Sequence, residues 1–236
     1  MIVATPSGVT LAPEGGAHQS IHTPLIGIGQ PGLLSYEPAF VDELAVLMRF
    51  GLDHMQQPKG SSLYLRLSTR SLPQPDRTLT PQQQTDIIDG GYWYAPPEQG
   101  ADVAIVCLGA VTPEAIAAHE SVAKDFAGAG LLVLTSPDLL HADWLAALRE
   151  RGRTSGVVDR AASPAERLLA RLSRDARLIT VLDGHPLALS WLGSVRGHRV
   201  VPLGIENFGQ SGDIPDLYRT YKLDAAAIID AVARSI

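Results

Sequence analysis

From Ala101 onward the chain alternates short apolar runs with segments of helical spacing, and this alternation constrains the fold more than any other feature of the sequence. Strands are expected at 103–108, 131–135, 178–182 and 200–203. Helices are expected at 113–127, 139–151, 164–173, 187–195 and 225–234. Strands separated by helical crossovers imply right-handed connections, so the fold class is α/β, with mostly parallel sheets and helices on both faces. The pairs Thr112-Pro113 and Ser163-Pro164 place proline at a first helical position behind a hydroxyl cap. A length of 236 residues, 45% of them hydrophobic, is enough to bury a sizeable core.

The first hundred residues read differently. Residues 1–7 look like one buried strand with no preceding element to pair with it or cover it, so the expectation is a domain cut through its middle. A loop rich in Gly and Pro follows over 8–35. Next comes a helix over 38–55, with Phe40, Leu44, Leu47 and Met48 as its buried stripe, and then a strand-like alternation at 62–68. Residues 71–100 hold five prolines and the glutamine run 82–84, which reads as irregular and marks a boundary. The expected organisation is a partial domain at 1–75, a linker at 76–100 and a complete domain at 101–236.

Several function classes are disfavoured. The formal charge of -6 is spread without acidic or basic blocks and offers no footprint for nucleic acid or an anionic membrane. Cys107 is the only cysteine, which excludes a disulfide framework, and its apolar surroundings make it a small buried hydrophobe. No stretch reaches the roughly 20 apolar residues of a spanning helix, and no basic region followed by a long apolar segment opens the chain, so the expected location is cytoplasmic.

Three motifs are set aside. Gly27-Ile28-Gly29-Gln30-Pro31-Gly32 matches a dinucleotide loop in letters, but prolines interrupt the strand–turn–helix context that loop needs. His18 and His22 are four apart, yet they lie in a loop with no third ligand nearby, so no metal site is expected. Ser211 lacks the glycine spacing of a nucleophile elbow.

What remains is Glu14-Gly15-Gly16-Ala17-His18-Gln19, where two glycines free the backbone and a histidine is presented from a loop. Histidine moves protons near neutral pH, and loops carry sites disproportionately.

This loop resembles the E/D-G-x-T-H-Q motif of the transketolase-like family of thiamine-diphosphate enzymes, with alanine in place of threonine. The resemblance continues through Ser35-Tyr36-Glu37-Pro38-Ala39-Phe40, Leu63 to Arg70, Val181 to Pro186 and Pro202 to Gly212. It is strongest toward the decarboxylating component of the homodimeric pyruvate dehydrogenase type. It implies the later part of a pyrimidine-binding domain at 1–75 and a transketolase C-terminal-like domain at 101–236. The family's G-D-G…N segment for metal and diphosphate is missing, as is the glutamate that protonates the cofactor ring nitrogen.

By this resemblance His18 contacts substrate or intermediate oxygens, and the cofactor performs the hard step. Arg70 is the candidate substrate-binding arginine, with Arg66 an alternative in register. His185, just after a C-terminal-domain strand, is a second substrate-binding candidate, with a structural turn histidine as the other reading.

The expected function is that of a C-terminal portion or split subunit of a 2-oxo acid (pyruvate) dehydrogenase decarboxylating component. Transketolase-type ketol transfer and a non-catalytic dimerisation module are the alternatives. The implied cofactor is thiamine diphosphate, with Mg in the complete enzyme and no tight binding to this chain alone. The implied partners are a second copy or a complementary N-terminal chain, and the acyltransferase component of a dehydrogenase complex.

Overall fold

The apolar run near residue 105 becomes the central strand of the larger of two sheets in the computed structural model, which describes residues 1–153, 162–207 and 209–236. Phe208, within the 202–212 motif, lies outside the described residues.

The smaller sheet is built from β1 (Ile2–Ala4), β2 (Leu33–Tyr36) and β3 (Ser62–Arg66), all parallel, in the order β1-β3-β2. The larger contains β4 (Gly91–Ala95), β5 (Ala101–Leu108), β6 (Gly130–Leu134), β7 (Leu172–Leu182) and β8 (Arg199–Leu203). Its order is β4-β6-β5-β7-β8, with β4 antiparallel to β6 and the other pairs parallel.

The connecting helices in the first half are α1 (Thr23–Gly29), α2 (Val41–His54) and α3 (Pro81–Ile88). Those of the second half are α4 (Thr112–Asp125), α5 (Pro137–Arg153), α6 (Pro164–Leu168), α7 (Leu187–Ser190), α8 (Gly193–Arg196), α9 (Ile214–Tyr221) and α10 (Ala225–Ser235).

Because β5 is buried on both faces, its successive side chains feed two cores. Val103, Ile105 and Cys107 pack with Ala118 and Val122 of α4 and Ile228 and Val232 of α10. Ala104, Val106 and Leu108 pack on the opposite side with Leu140 and Trp144 of α5 and Leu189 of α7. A continuous apolar run is what such a doubly covered strand requires. Each fully buried Val, Ile or Leu here contributes about 1.5–3 kcal/mol.

The carboxyl ends of the two sheets meet head to head. Glu37 follows β2 and donates its backbone N–H to the carbonyl of Thr135, just past β6, at 2.8 Å. Arg66, the last residue of β3, is 2% exposed and pairs its Nη1 with Glu37. Its Nη2 donates to the carbonyls of Ser20 (2.7 Å) and Asp183 (2.8 Å), and its Nε to Thr23 Oγ1 (3.1 Å). Asp183 directly follows β7, and Gly109 directly follows β5. Gly109 sits at φ +65°, and a Cβ there would run into the Glu37 carboxylate. Strand order reverses between β5 and β7, so the crevice where an open α/β sheet usually holds a ligand is occupied by the first half of the same chain.

Several local expectations are corrected. The first strand covers only Ile2–Ala4, and its residues are exposed or partly exposed, because it is a sheet edge with β3 on one side. The supposed loop 8–35 contains a 3₁₀ segment, Ala12–His18, together with α1 and most of β2. Residues 71–100 contain α3, whose N-terminus is closed by a Thr80–Gln83 capping box, and β4, which pairs with β6. Met48 is 40% exposed rather than part of the buried stripe of α2. Thr112 is the first residue of α4, where its hydroxyl donates to Gly109 O at 2.8 Å, so it does not cap α4. Ser163 does cap α6, with Glu166 reaching back to its N–H. The helix foreseen at 164–173 ends early, and that at 187–195 is two separate turns.

Removing one member of a buried ion pair strands the other. Arg66→Met is therefore expected to lower the unfolding free energy by about 3–5 kcal/mol in urea titrations, because Glu37 stays buried without its cation.

Candidate functional site

The segment 8–22 leaves β1, crosses the joint between the halves and returns to α1. Its base is fixed by Gly8, which adopts φ +52° and is seated so tightly that a Cβ would strike the Asp183 side chain. Val9 donates its N–H to Asp183 Oδ1 at 3.0 Å, and Ser20 donates its N–H to Gly8 O at 2.9 Å, which closes the loop. Gly15, at φ 63° and ψ -149°, breaks the 3₁₀ segment, a conformation that costs glycine little.

His18 ends that segment. Its ring is 49% exposed, and Nε2 lies 3.9 Å from Glu14 Oε2, which is itself 59% exposed. Solvent screens such a pair, which leaves the imidazole open to a ligand. Beyond the tip, Ile21 is buried and its carbonyl accepts the N–H of His185 at 2.9 Å. The rings of His22 and His185 then stack, with centroids 5.6 Å apart and planes 27° from parallel. The stretch 209–212, which leads into α9, completes this rim: Gly212 N–H donates to Ala12 O at 3.3 Å, and a Cβ on Gly15 would collide with Ser211 Oγ.

The fold thus brings the loop bearing His18 and the His22–His185 pair to one rim of the joint. Arg70 is engaged elsewhere. Its guanidinium carbon lies 5.1 Å above the Tyr218 ring, and Nη2 is 3.9 Å from Glu114 Oε1. Tyr218 in turn donates to Asp183 Oδ2 at 3.4 Å, so Arg70 reaches the base of the His18 loop only through two intermediaries. Arg66, the alternative in register, is consumed by the buried joint and presents no guanidinium face to a ligand. His185 follows β7 as expected, but at the rim of a filled crevice, with its Nδ1 accepting the Leu187 N–H at 3.3 Å.

The electrostatics of the joint follow from burial. Asp183 is fully buried, and desolvation pushes its carboxyl up to about 6 against the pull of Arg66 and of the Val9 N–H. Burial also pushes Glu37 upward, with the Arg66 guanidinium pulling the other way. Tyr218 is raised well above the ordinary phenol range by burial and then by Asp183, so its hydroxyl stays a donor. Burial pushes the Cys107 thiol up to about 12, which fits a core residue and not a nucleophile.

Among the described residues no group of three or more His, Cys, Asp or Glu could hold a metal ion. The glycine-rich stretch 27–32 ends α1 and leads into β2, the reverse of the strand-to-helix order of a dinucleotide loop. Among the described residues no helix is long and apolar enough to cross a membrane. Asp183, Tyr218 and Gln19 were not singled out in the sequence. Gln19 and Asp183 lie within the quoted stretches 14–19 and 181–186 without a role assigned to them, and Tyr218 lies in no motif.

No protein-family model matches the chain. In an alignment of 238 positions that spans 99% of its length, it is 27% identical to the pyruvate dehydrogenase E1 component of Mycolicibacterium smegmatis, covering 25% of that protein. The transketolase of Campylobacter jejuni superposes with a TM-score of 0.74 at 16% identity, over 98% of this chain and 31% of that one. A structure described as "Split gene transketolase, inactive beta4 tetramer" superposes with a TM-score of 0.62 at 21% identity, over 99% of this chain and 65% of that one. The chain therefore resembles transketolase-like enzymes over nearly its whole length and has their α/β C-terminal-domain fold, while spanning about a quarter of the length of the curated relatives it matches.

The pH response of the joint has a definite sign. Folded Asp183 keeps its proton up to about pH 6, whereas an unfolded aspartate releases it near pH 3.9. Between those values the native state binds more protons, so this residue's contribution to stability is full below about pH 4 and is lost as pH rises through about 6. Asp183→Asn, which keeps an acceptor for Val9, is expected to be increasingly more stable than the parent as pH rises across that window in urea denaturation. A pH-independent difference would contradict the assignment.

Proposed function

We propose that this chain is the C-terminal portion, or a split subunit, of a thiamine-diphosphate-dependent 2-oxo acid dehydrogenase decarboxylating component of the pyruvate type, and that it supplies His18 to an active site completed by another polypeptide. The observation that carries this reading is the presentation of His18: its ring is nearly half exposed, on a loop whose base and tip are both tied to the second half of the chain. A fixed backbone under an open imidazole suits a group that must meet a substrate oxygen in a set geometry. His185, on the same rim, and Arg70 are the accompanying substrate-binding candidates.

In this reading the three-stranded half is the later part of a pyrimidine-binding domain, and the five-stranded half is the C-terminal domain. Thiamine diphosphate supplies an electron sink for the carbanion left by decarboxylation. In this reading the completing polypeptide carries the cofactor and its metal. The free edge of β1, where Ile2 and Val3 are 54% and 52% exposed, is a place for that polypeptide to add a strand. A second copy and the acyltransferase component of a dehydrogenase complex are the further partners of this reading, in the cytoplasm.

Two observations favour other readings. The superposition on transketolases supports ketol transfer as the reaction. The exposed apolar positions Val41, Met48 and Leu52 along α2 support self-association without catalysis.

The test mixes this chain with a polypeptide carrying the cofactor-binding half, thiamine diphosphate and Mg, and measures pyruvate decarboxylation. The chain alone is expected to be inert, and His18→Ala in the mixture is expected to lower kcat by about 10²–10⁴-fold. Turnover by the chain alone, or an unchanged rate in the variant, would refute the proposal.

A further inference from the structure

The geometry points to Gln19 as the residue that positions His18, by latching the histidine loop to the segment before α9. This inference rests on the catalytic reading of His18 and deepens it.

The neighbouring residue in the His-Gln pair uses both ends of its side-chain amide. Gly209 donates its backbone N–H to Gln19 Oε1 at 2.6 Å, and Gln19 Nε2 donates to the carbonyl of Gln210 at 2.9 Å. One carboxamide thus meets a donor and an acceptor on consecutive residues, as a paired strand would. The bond spans 190 residues of sequence and ties the tip of the loop directly to the C-terminal half. Without it, the nearest tethers on the C-terminal side are the Ser20 N–H, bonded to Gly8 O within the loop, the Ser20 carbonyl, held by Arg66, and the Ile21 carbonyl, held by His185. On the other side are the Gly15–Ser211 packing and the Gly212–Ala12 bond.

Side-chain chemistry makes the latch specific to glutamine. Methionine keeps the length but removes both bonds. Glutamate keeps the acceptor for Gly209 and sets a carboxylate against the Gln210 carbonyl. Both groups of the latch are solvent-accessible, so it fixes position more than it adds stability. Since His18 and Gln19 share a peptide bond, freeing Gln19 lets the imidazole sample more directions, and orientation is what a general acid or hydrogen-bond donor needs.

The experiment has two arms. In the 236-residue chain, native-state hydrogen exchange is followed at the Gly209 amide. Gln19→Met is expected to lower its protection about tenfold, with Gln19→Glu intermediate. Unchanged protection in Gln19→Met overturns the latch.

In the mixture with the cofactor-bearing polypeptide, kcat is measured for Gln19→Met, His18→Ala and the double variant. If Gln19 acts through His18, Gln19→Met lowers kcat and the double variant is no slower than His18→Ala. Losses that add show that Gln19 acts apart from His18 and overturn the positioning role. A His18→Ala variant as fast as the parent removes the catalytic reading and the positioning role with it, while the exchange arm still decides the latch.

Discussion

The structure depends on one buried guanidinium. Arg66 ends a strand of the smaller sheet and spends its donors on Glu37, the Ser20 and Asp183 carbonyls and Thr23, so it binds the N-terminal half, the histidine loop and the C-terminal sheet in a single step. A cation this deeply buried is tolerated only where its partners are fixed in advance. Here they are: Glu37 is placed by its backbone bond to Thr135, Asp183 by the end of β7, and Gly109 has no side chain to obstruct the carboxylate. Every member of the joint is therefore needed to keep the buried charges paired.

Filling the switch-point crevice has a functional corollary. An isolated five-stranded sheet of this topology would offer its ligand site between the ends of β5 and β7, where Asp183 and Gly109 now meet the first half. With that volume taken, His18, His22 and His185 lie outward, on the rim formed by the His18 loop, the His22–His185 stack and the stretch before α9. Histidines that looked scattered at 18, 22 and 185 become neighbours of one edge because two loops are carried there by sheets that face each other.

Much of this was legible in the sequence. The apolar runs of β5 to β8 announced a parallel sheet, because strands buried on both faces need no polar alternation. The Ser163-Pro164 pair announced the start of α6, and the environment of Cys107 announced its burial. What escaped did so for physical reasons. β4 is five residues flanked by Gly90 and by Pro96-Pro97, so its turn-forming neighbours mask it. α1 carries Pro24 and two glycines and is held by tertiary packing, with Gly27 close against Ser35 beside Asp138 and Leu25 and Ile28 against the second core. Arg66 sits in an alternating strand where a charge ordinarily points to water, and nothing local says that its acceptors lie 29, 46 and 117 residues away. His18 was visible as a loop histidine, but the Gln19 contacts that orient it are long-range and leave no local trace.

The separation of those acceptors also bears on how the chain assembles. Each sheet can form from its own segments, since β1, β2 and β3 pair among themselves and β4 to β8 do likewise. Arg66 has no such independence: Glu37 arrives with the first half, but the Asp183 carbonyl is supplied only when β7 is in place. Any state in which the halves have not docked leaves that guanidinium and Glu37 either hydrated or incompletely paired, and a hydrated pair holds the sheets apart. Full pairing of Arg66 therefore requires both sheets and their docking together, and it closes chain segments of 29, 46 and 117 residues at a single side chain.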